Sequence, residues 1–357
     1  MKRTNISRRA GIAFLASALF ITATGSVLGQ GNQRAGAFLK QPDEWFRSAD
    51  GRRVTENVLS WQSSAGSWPK NKSTTAAPYT GDVAKVNGTF DNGATTDEIR
   101  FLARAFHATE EERCRRAMIR GLDHILAAQY PTGGWPQYAP PPEKSYHRHI
   151  TFNDGSMVRL MELLREVGSA PEFSFVDSAR REASRKSFER GVACILKCQI
   201  RVNGRLTVWC AQHDEKDLSP RPGRSYELVS LSGSESAGIL RFLMSLDIPN
   251  AETVRAIQAG ADWFASARIT GWKVGREGKD KVLIADANAP PLWARFYNIE
   301  SGRPFFCGRD GVPKDNFNDI EAERRNGYAW HGNWGESVAS EYVKWSAKWI
   351  KTTPKSP

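Results

Sequence analysis

The chain has little cysteine, and none of it is arranged as a metal site or a disulfide framework requires. Cys114, Cys194, Cys198, Cys210 and Cys307 include no Cys-x-x-Cys pair and leave an odd thiol over. That excludes a zinc ribbon and a disulfide-dense scaffold. Cys194 and Cys198 fall four apart in a helical stretch, so a shared buried face is the ordinary expectation. Strand-like alternation is sparse as well, which argues against an all-β fold. After the first thirty residues no apolar run approaches the ~20 residues that span a bilayer, so the mature chain is expected to be free of the membrane. Neither the loop at Asp91-Asn92 nor that at Asn153-Asp154 has the spacing of an EF-hand.

What is present begins with a leader. Lys2, Arg3, Arg8 and Arg9 precede the apolar stretch from Ala10 to Thr24, and small residues follow to Gly29. This order is that of a secretory signal, so residues 1–29 are expected to be removed and the protein to be secreted or periplasmic. Arg8-Arg9 also fits the twin-arginine route. Residues 30–350 are expected to form one domain and 351–357 a basic mobile tail. Of the 357 residues 40% are hydrophobic, enough for a sizeable core. The net charge of +11 falls to +7 without the four leader cations. A basic surface favours an acidic polymer as partner, and export makes a polyuronate a better match than nucleic acid. A solvated excess of Lys and Arg would look the same.

Apolar residues recur at helical spacing. Ile99, Leu102, Ala103 and Phe106 share one face, and Cys114, Met118, Leu122, Ile125 and Leu126 share another. Further helical stretches run near 157–164, 188–199, 235–246 and 254–267. A larger unit also repeats, in which a helix ends in Gln and a loop with Gly and Trp follows. Gln62 leads to Trp68, Gln129 to Trp135 and Gln199 to Trp209, and Trp272 makes a looser fourth copy. Such spacing leaves room for one helical hairpin per repeat. The pattern predicts an all-α-dominated fold, an (α/α) barrel or toroid with short strands and long loops. Gln would bond backbone groups at the helix end, Trp would cover the loop, and the loops would gather at one end of the barrel.

Those loops are rich in acids and arginines. Phe90-Asp91-Asn92-Gly93 and Phe152-Asn153-Asp154-Gly155 each place an Asp and Asn pair before a helix. Singly, each reads as an N-cap. Together they offer the carboxylate and amide oxygens that calcium takes. Arg224, Arg295 and Arg309 lie among aromatic or glycine residues. A guanidinium grips a carboxylate through paired planar hydrogen bonds, although each could equally be a surface arginine.

These blocks resemble the pectate lyases of polysaccharide lyase family 10, over roughly Asn57 to Trp330. The similarity is carried by Gly66 to Asn71, Phe90 to Arg100, Gln129 to Gln137, His149 to Asp154, Trp209 to Asp214, Arg224 to Ser236 and Trp293 to Gly311. The resemblance implies an (α/α) barrel with a groove that binds polygalacturonate, and cleavage by calcium-assisted β-elimination giving 4,5-unsaturated ends. It implies that Asp91 and Asp154 hold calcium, with Asp91 also catalytic. By the same likeness Arg295, Arg309, Asn92 and Lys70 bind substrate, and Arg224 is the catalytic base, with Arg221 close by and Arg309 as the fallback. An arginine base conflicts with a free pKa above ~12, so Arg221 and calcium are expected to depress it.

Two rival readings remain at this level. An inverting glycoside hydrolase on the same scaffold would use Asp91 and Asp154 to activate water. A non-catalytic pectin-binding protein would keep the groove without turnover. Triterpene cyclases share the Gln, Gly and Trp repeats but need DxDD or DDxxD motifs, which this chain lacks. A monomer is expected.

Overall fold

The computed structural model describes residues 34–350; the expected signal segment 1–29 and the tail 351–357 lie outside the described residues. Among the described residues ten α-helices run in chain order: α1 (Asp43–Arg47), α2 (Ala49–Ser60), α3 (Thr96–Thr109), α4 (Glu112–Ala128), α5 (Ser156–Ser169), α6 (Ser178–Cys198), α7 (Gly233–Met244), α8 (Ala251–Ser266), α9 (Ala322–Gly327) and α10 (Trp334–Trp349). Consecutive helices pair as α3 with α4, α5 with α6 and α7 with α8. Laterally, α3, α5 and α7 pack side by side in one layer, and α4, α6 and α8 do so in the other. Helix α1 extends the first layer at α3, α2 extends the second at α4, and α10 packs on α7 and α8. This is the helical toroid that the periodicity predicted.

The repeated Gln and Trp account for how the pairs are joined. The Gln62 amide donates to Gly66 O and Ala117 O, Gln129 to Gly133 O and Ser187 O, and Gln199 to Thr207 O and Ala256 O. Each Gln thus closes its own loop and ties it to the next outer helix, satisfying buried carbonyls that would otherwise lose water for nothing. The fully buried Trp68, Trp135 and Trp209 donate from their indoles back to Val58, Ile125 and Ile195, at 2.8, 2.8 and 2.7 Å.

The fourth copy is not the one expected. Trp272 lies 43% exposed on a hairpin of Trp272–Glu277 with Asp280–Ala285, turning at Gly278 with φ +60°. Trp293 takes the structural role instead, donating to Phe264 O at 2.9 Å. The hairpin is inserted between α8 and this tryptophan. Its strands are only partly buried, so they carry none of the clean alternation by which strands are read.

Short two-residue strands stitch the segments that lead into the inner helices. Ile150–Thr151 pairs with Gln212–His213, Leu231–Ser232 with Phe296–Tyr297, and Trp293–Ala294 with His331–Gly332. The N-termini of α5, α7 and α10 follow directly, and α3 starts next to α5 through its preceding turn. The positive ends of the helix dipoles therefore gather at the loop end, where they favour anions. All five cysteines are buried free thiols, and Cys194 and Cys198 do share the inner face of α6. No described helix is long and apolar enough to cross a membrane.

Candidate active site

Two short turns build the acidic side of the site. In Asp91–Gly93 and Asn153–Gly155 the second residue is left-handed, with φ +55° at Asn92 and +52° at Asp154, and the glycine follows at +82° and +73°. Asn and Asp tolerate that conformation better than other side chains, and Gly is free to adopt it, so the two sequences fold alike. Neither pair caps its helix. Helix α3 is closed by a capping box of Thr95 and Glu98, and α5 follows Gly155, which offers no side-chain cap. The capping alternative is thereby removed, and the acids are available for other work.

Asp91 is buried. Its Oδ2 accepts from the Lys70 ammonium and from Gln137 Nε2 at 2.6 Å. Its Oδ1 is also buried but has no hydrogen-bond partner among the described residues. A buried acceptor left unpaired costs about 1–3 kcal/mol, so this oxygen marks a place where a positive group fits. Asn92 beside it is half-buried. Asp154 is much more open, at 36% side-chain exposure, and accepts from Asn153 Nδ2 at 2.9 Å and from Arg295 Nη2 at 3.3 Å. The two turns lie in contact.

The guanidinium side is built by the strand ends. Arg295 stands between the short strands Trp293–Ala294 and Phe296–Tyr297 and is almost fully buried. Its Nη2 donates to Glu235, to Asn153 at 3.1 Å and to Asp154, while Nε is buried without an acceptor among the described residues. Burial disfavours its charge, but Glu235 and the neighbouring acids outweigh this and hold it above the ordinary arginine value. Arg224 is 40% exposed in its side chain and pairs with buried Glu227. Burial lowers its pKa, yet the hydrogen bond and charge of Glu227 raise it on balance.

In the free protein Arg221 is not among the groups that set the Arg224 charge. Arg221 pairs with Asp214, donating at 3.0 Å, and reaches Asp217, so its charge is balanced elsewhere. The carboxylate that sequence reasoning overlooked, Glu227, sits three residues from Arg224 and dominates. Burial raises Glu227, but Arg224 and Tyr328 bring it below the usual carboxylate range.

One turn, Tyr146–Arg148, joins the halves. Gln137, which bonds Asp91, also donates from its backbone N–H to His147 O. Burial lowers the His147 pKa, with Lys70 and Arg224 adding to the push and Asp91 and Glu227 opposing it. Lys70, Asp91, Asn92, Asp154, Arg224 and Arg295 thus belong to one connected group. Arg309 stands apart, 62% exposed in its side chain and held by both oxygens of Glu323 at 2.9 and 3.0 Å. Residues that sequence reading missed are Gln137, His147, Glu227, Glu235 and Tyr328. Glu235 was visible as the third residue after Ser232 in an N-cap pattern; Tyr328 had no local signal.

A second group could also hold a cation. His149, Asp214 and Glu215 bring ligand atoms within 4.8 Å of one another. Its carboxylates, however, already accept from Arg148, Arg221 and the backbone N–H groups of Lys216 and Asp217. A cavity of about 650 Å³ between the outer helices, lined by Arg113, Arg115 and Arg180 among others, is likewise neutralised by Glu56, Glu112, Asp123 and Asp177.

A helical toroid with acids and guanidiniums gathered at its loop end suits an acidic polysaccharide, and the comparisons with known proteins place it in a family. The profile described as pectic acid lyase matches residues 62–339. The family 10 polysaccharide lyase of Cellvibrio cellulosa is 34% identical, with a TM-score of 0.77 over 87% of this chain and 95% of that one. An aspartate mutant of a family 10 lyase from the same organism, solved in complex with trigalacturonic acid, is also 34% identical. It has a TM-score of 0.76 over 87% and 96% of the two chains. A comparison with curated protein sequences finds no match. The chain belongs to the pectic acid lyase family. It is a pectate lyase, which sets aside the hydrolase reading.

Proposed function

We propose that the protein is an exported enzyme that cleaves polygalacturonate by calcium-assisted β-elimination, with residues 30–350 acting as one catalytic domain and as a monomer. The observation that carries this reading is the buried Oδ1 of Asp91, which has no hydrogen-bond partner among the described residues and lies on a turn in contact with the Asp154 turn. The donor set suits calcium, which takes hard oxygen ligands. Lys70 and Gln137 fix the other Asp91 oxygen, so Oδ1 is preorganised as a ligand, and open Asp154 completes the grip. Calcium, when bound, draws electron density from the uronate carboxylate and makes the adjacent C5 proton more acidic.

This chain's own residues do the rest. Arg295 and Arg309 receive uronate carboxylates, and Asn92 and Lys70 line the sugar nearest Asp91. Arg224 acts at the C5 proton. As that proton leaves, its bonding pair forms the C4–C5 double bond and the C4–O bond breaks, the leaving oxygen gaining a proton from solvent. In the free protein Glu227 keeps Arg224 charged, so a proton-accepting role requires substrate to shift that balance, and the rate should rise toward alkaline pH. The likeness to a lyase that binds trigalacturonic acid supports the substrate class.

The decisive experiment is incubation with de-esterified pectate, following absorbance of the unsaturated product. Chelator should abolish the signal and added calcium restore it. Arg224→Lys should lose more than about a hundredfold in rate while binding pectate normally. Undiminished turnover in excess chelator would remove the cation from the mechanism; a full rate in Arg224→Lys would remove the arginine. Binding without any turnover would favour the pectin-binding reading.

A further inference from the structure

Tyr328 lies just beyond α9, about a hundred residues from Arg224, yet it touches both central arginines. The Arg295 guanidinium carbon is 4.6 Å from its ring centroid and that of Arg224 is 5.3 Å away. Its hydroxyl donates to Glu227 Oε1 at 2.7 Å, and the same carboxylate accepts from the Arg224 side chain and, at 2.9 Å, from the Arg224 backbone N–H. One side chain therefore contacts two cations through its π face and the anion that orients one of them through its hydroxyl.

The arrangement continues outward. Tyr226 packs edge-on against Tyr328 at 5.3 Å, Arg224 lies 4.9 Å from the Tyr226 centroid, and Arg324 lies 4.6 Å from it. Arg324 and Arg309 share Glu323. Arginines and tyrosines alternate from Arg295 to Arg324, and Glu323 carries the chain on to Arg309. Like charges at such separations repel, and the electron-rich ring faces, with Glu227 and Glu235 beside them, offset that repulsion. An arginine also loses rotamer entropy when it is held in place, and stacking against a fixed ring removes that loss before substrate arrives.

We propose that Tyr328 is a positioning residue of the lyase site: its ring holds Arg224 and Arg295 at a fixed spacing, and its hydroxyl anchors the Glu227 carboxylate that orients Arg224. The inference rests on the proposed roles of those two arginines. A polyuronate presents one carboxylate per sugar, so a fixed spacing of guanidiniums selects that anionic repeat. The groups facing Glu227 are Arg224, Arg295, Tyr328, Tyr146 and His147. Removing the Tyr328 hydroxyl takes away a donor that favours the charged carboxylate, so Glu227 should take up a proton at a higher pH than before.

The test compares wild type, Tyr328→Phe, Tyr328→Leu, Glu227→Gln and the double variant Glu227→Gln with Tyr328→Phe, as full chains on polygalacturonate. Tyr328→Phe should lower kcat about tenfold, leave KM within about twofold and move the acid limb of the kcat profile to higher pH. Tyr328→Leu, which also removes the ring, should lose about a hundredfold in kcat/KM. In the Glu227→Gln background Tyr328→Phe should have little further effect, because both act on one carboxylate. Wild-type kinetics in Tyr328→Phe, or full additivity in the double variant, would overturn the proposal, and Tyr328→Phe decides alone if Tyr328→Leu does not fold. Arg224→Lys separates the two levels. If it keeps full rate, the reading of the site fails and takes this proposal with it; if it is inactive while Tyr328→Phe matches wild type, only the role of Tyr328 fails.

Discussion

The turns at Asp91 and Asp154 have nearly the same sequence and the same backbone, yet they treat their carboxylates oppositely. Phe90-Asp91-Asn92-Gly93 puts its acid one position earlier than Phe152-Asn153-Asp154-Gly155. The structural equivalent of Asp91 is therefore Asn153, and that of Asp154 is Asn92. At the first position the side chain is buried, and at the left-handed second position it is more open. A shift of one residue converts an enclosed carboxylate, one oxygen of which has no partner among the described residues, into an open one that faces Arg295. Local backbone conformation sets the direction of the side chain, and the surrounding loops set its dielectric.

The largest expected effect comes from attacking the enclosed acid. Asp91→Asn should lower kcat about a thousandfold with little change in Tm. Adding Asn92→Asp, which copies the order of the second turn, should not restore activity, because the carboxylate would then occupy the more open position. Recovery in that double variant would show that position within the turn does not matter.

Acid should strain the second turn through His213. This histidine packs edge-on against Phe152 at 5.6 Å, accepts from the Cys210 N–H at Nε2 and donates from Nδ1 to Leu218 O. Burial pushes its pKa down to about 4. Below about pH 6.5 the unfolded chain takes a proton that the folded chain refuses, so stability falls as pH drops from 6.5 to 4, by up to ~3 kcal/mol. The urea midpoint of His213→Gln should depend less on pH across that window; an unchanged slope would exclude His213 as the cause.

The open acid should matter less. Asp154→Asn should raise KM about thirtyfold and alter kcat less than Asp91→Asn does. Equal losses in kcat from the two substitutions would erase the distinction between the turns.

The smallest effect sharpens the contrast in packing. A Cβ at Gly93 would fall 2.7 Å from Asp97 Oδ2, whereas at Gly155 the nearest atom, Arg159 Nε, is 3.8 Å away. Both glycines have positive φ, so Gly155→Ala should cost about 1 kcal/mol from the backbone alone. Gly93→Ala should cost about 1 kcal/mol more. Chemical denaturation measures both, and equal costs would mean that Asp97 moves aside freely.

Sequence alone carried the features that depend on near neighbours. Helical periodicity survives in α3 and α4 because each buries one stripe, and the Gln and Trp repeat is legible because each copy performs the same two hydrogen-bonding tasks. Asp91, Asp154, Arg224 and Arg295 could be singled out from their flanks. The fourth tryptophan could not, because the hairpin that displaces Trp272 buries too little to leave an alternating pattern. Tertiary structure alone decided which carboxylate oxygen is left without a donor, that Glu227 rather than Arg221 governs Arg224, and that Tyr328 reaches two arginines from the far end of the chain. Hydrogen-bond satisfaction and charge balance depend on every group within a few ångströms, and the toroid draws those groups from loops that share no sequence neighbourhood.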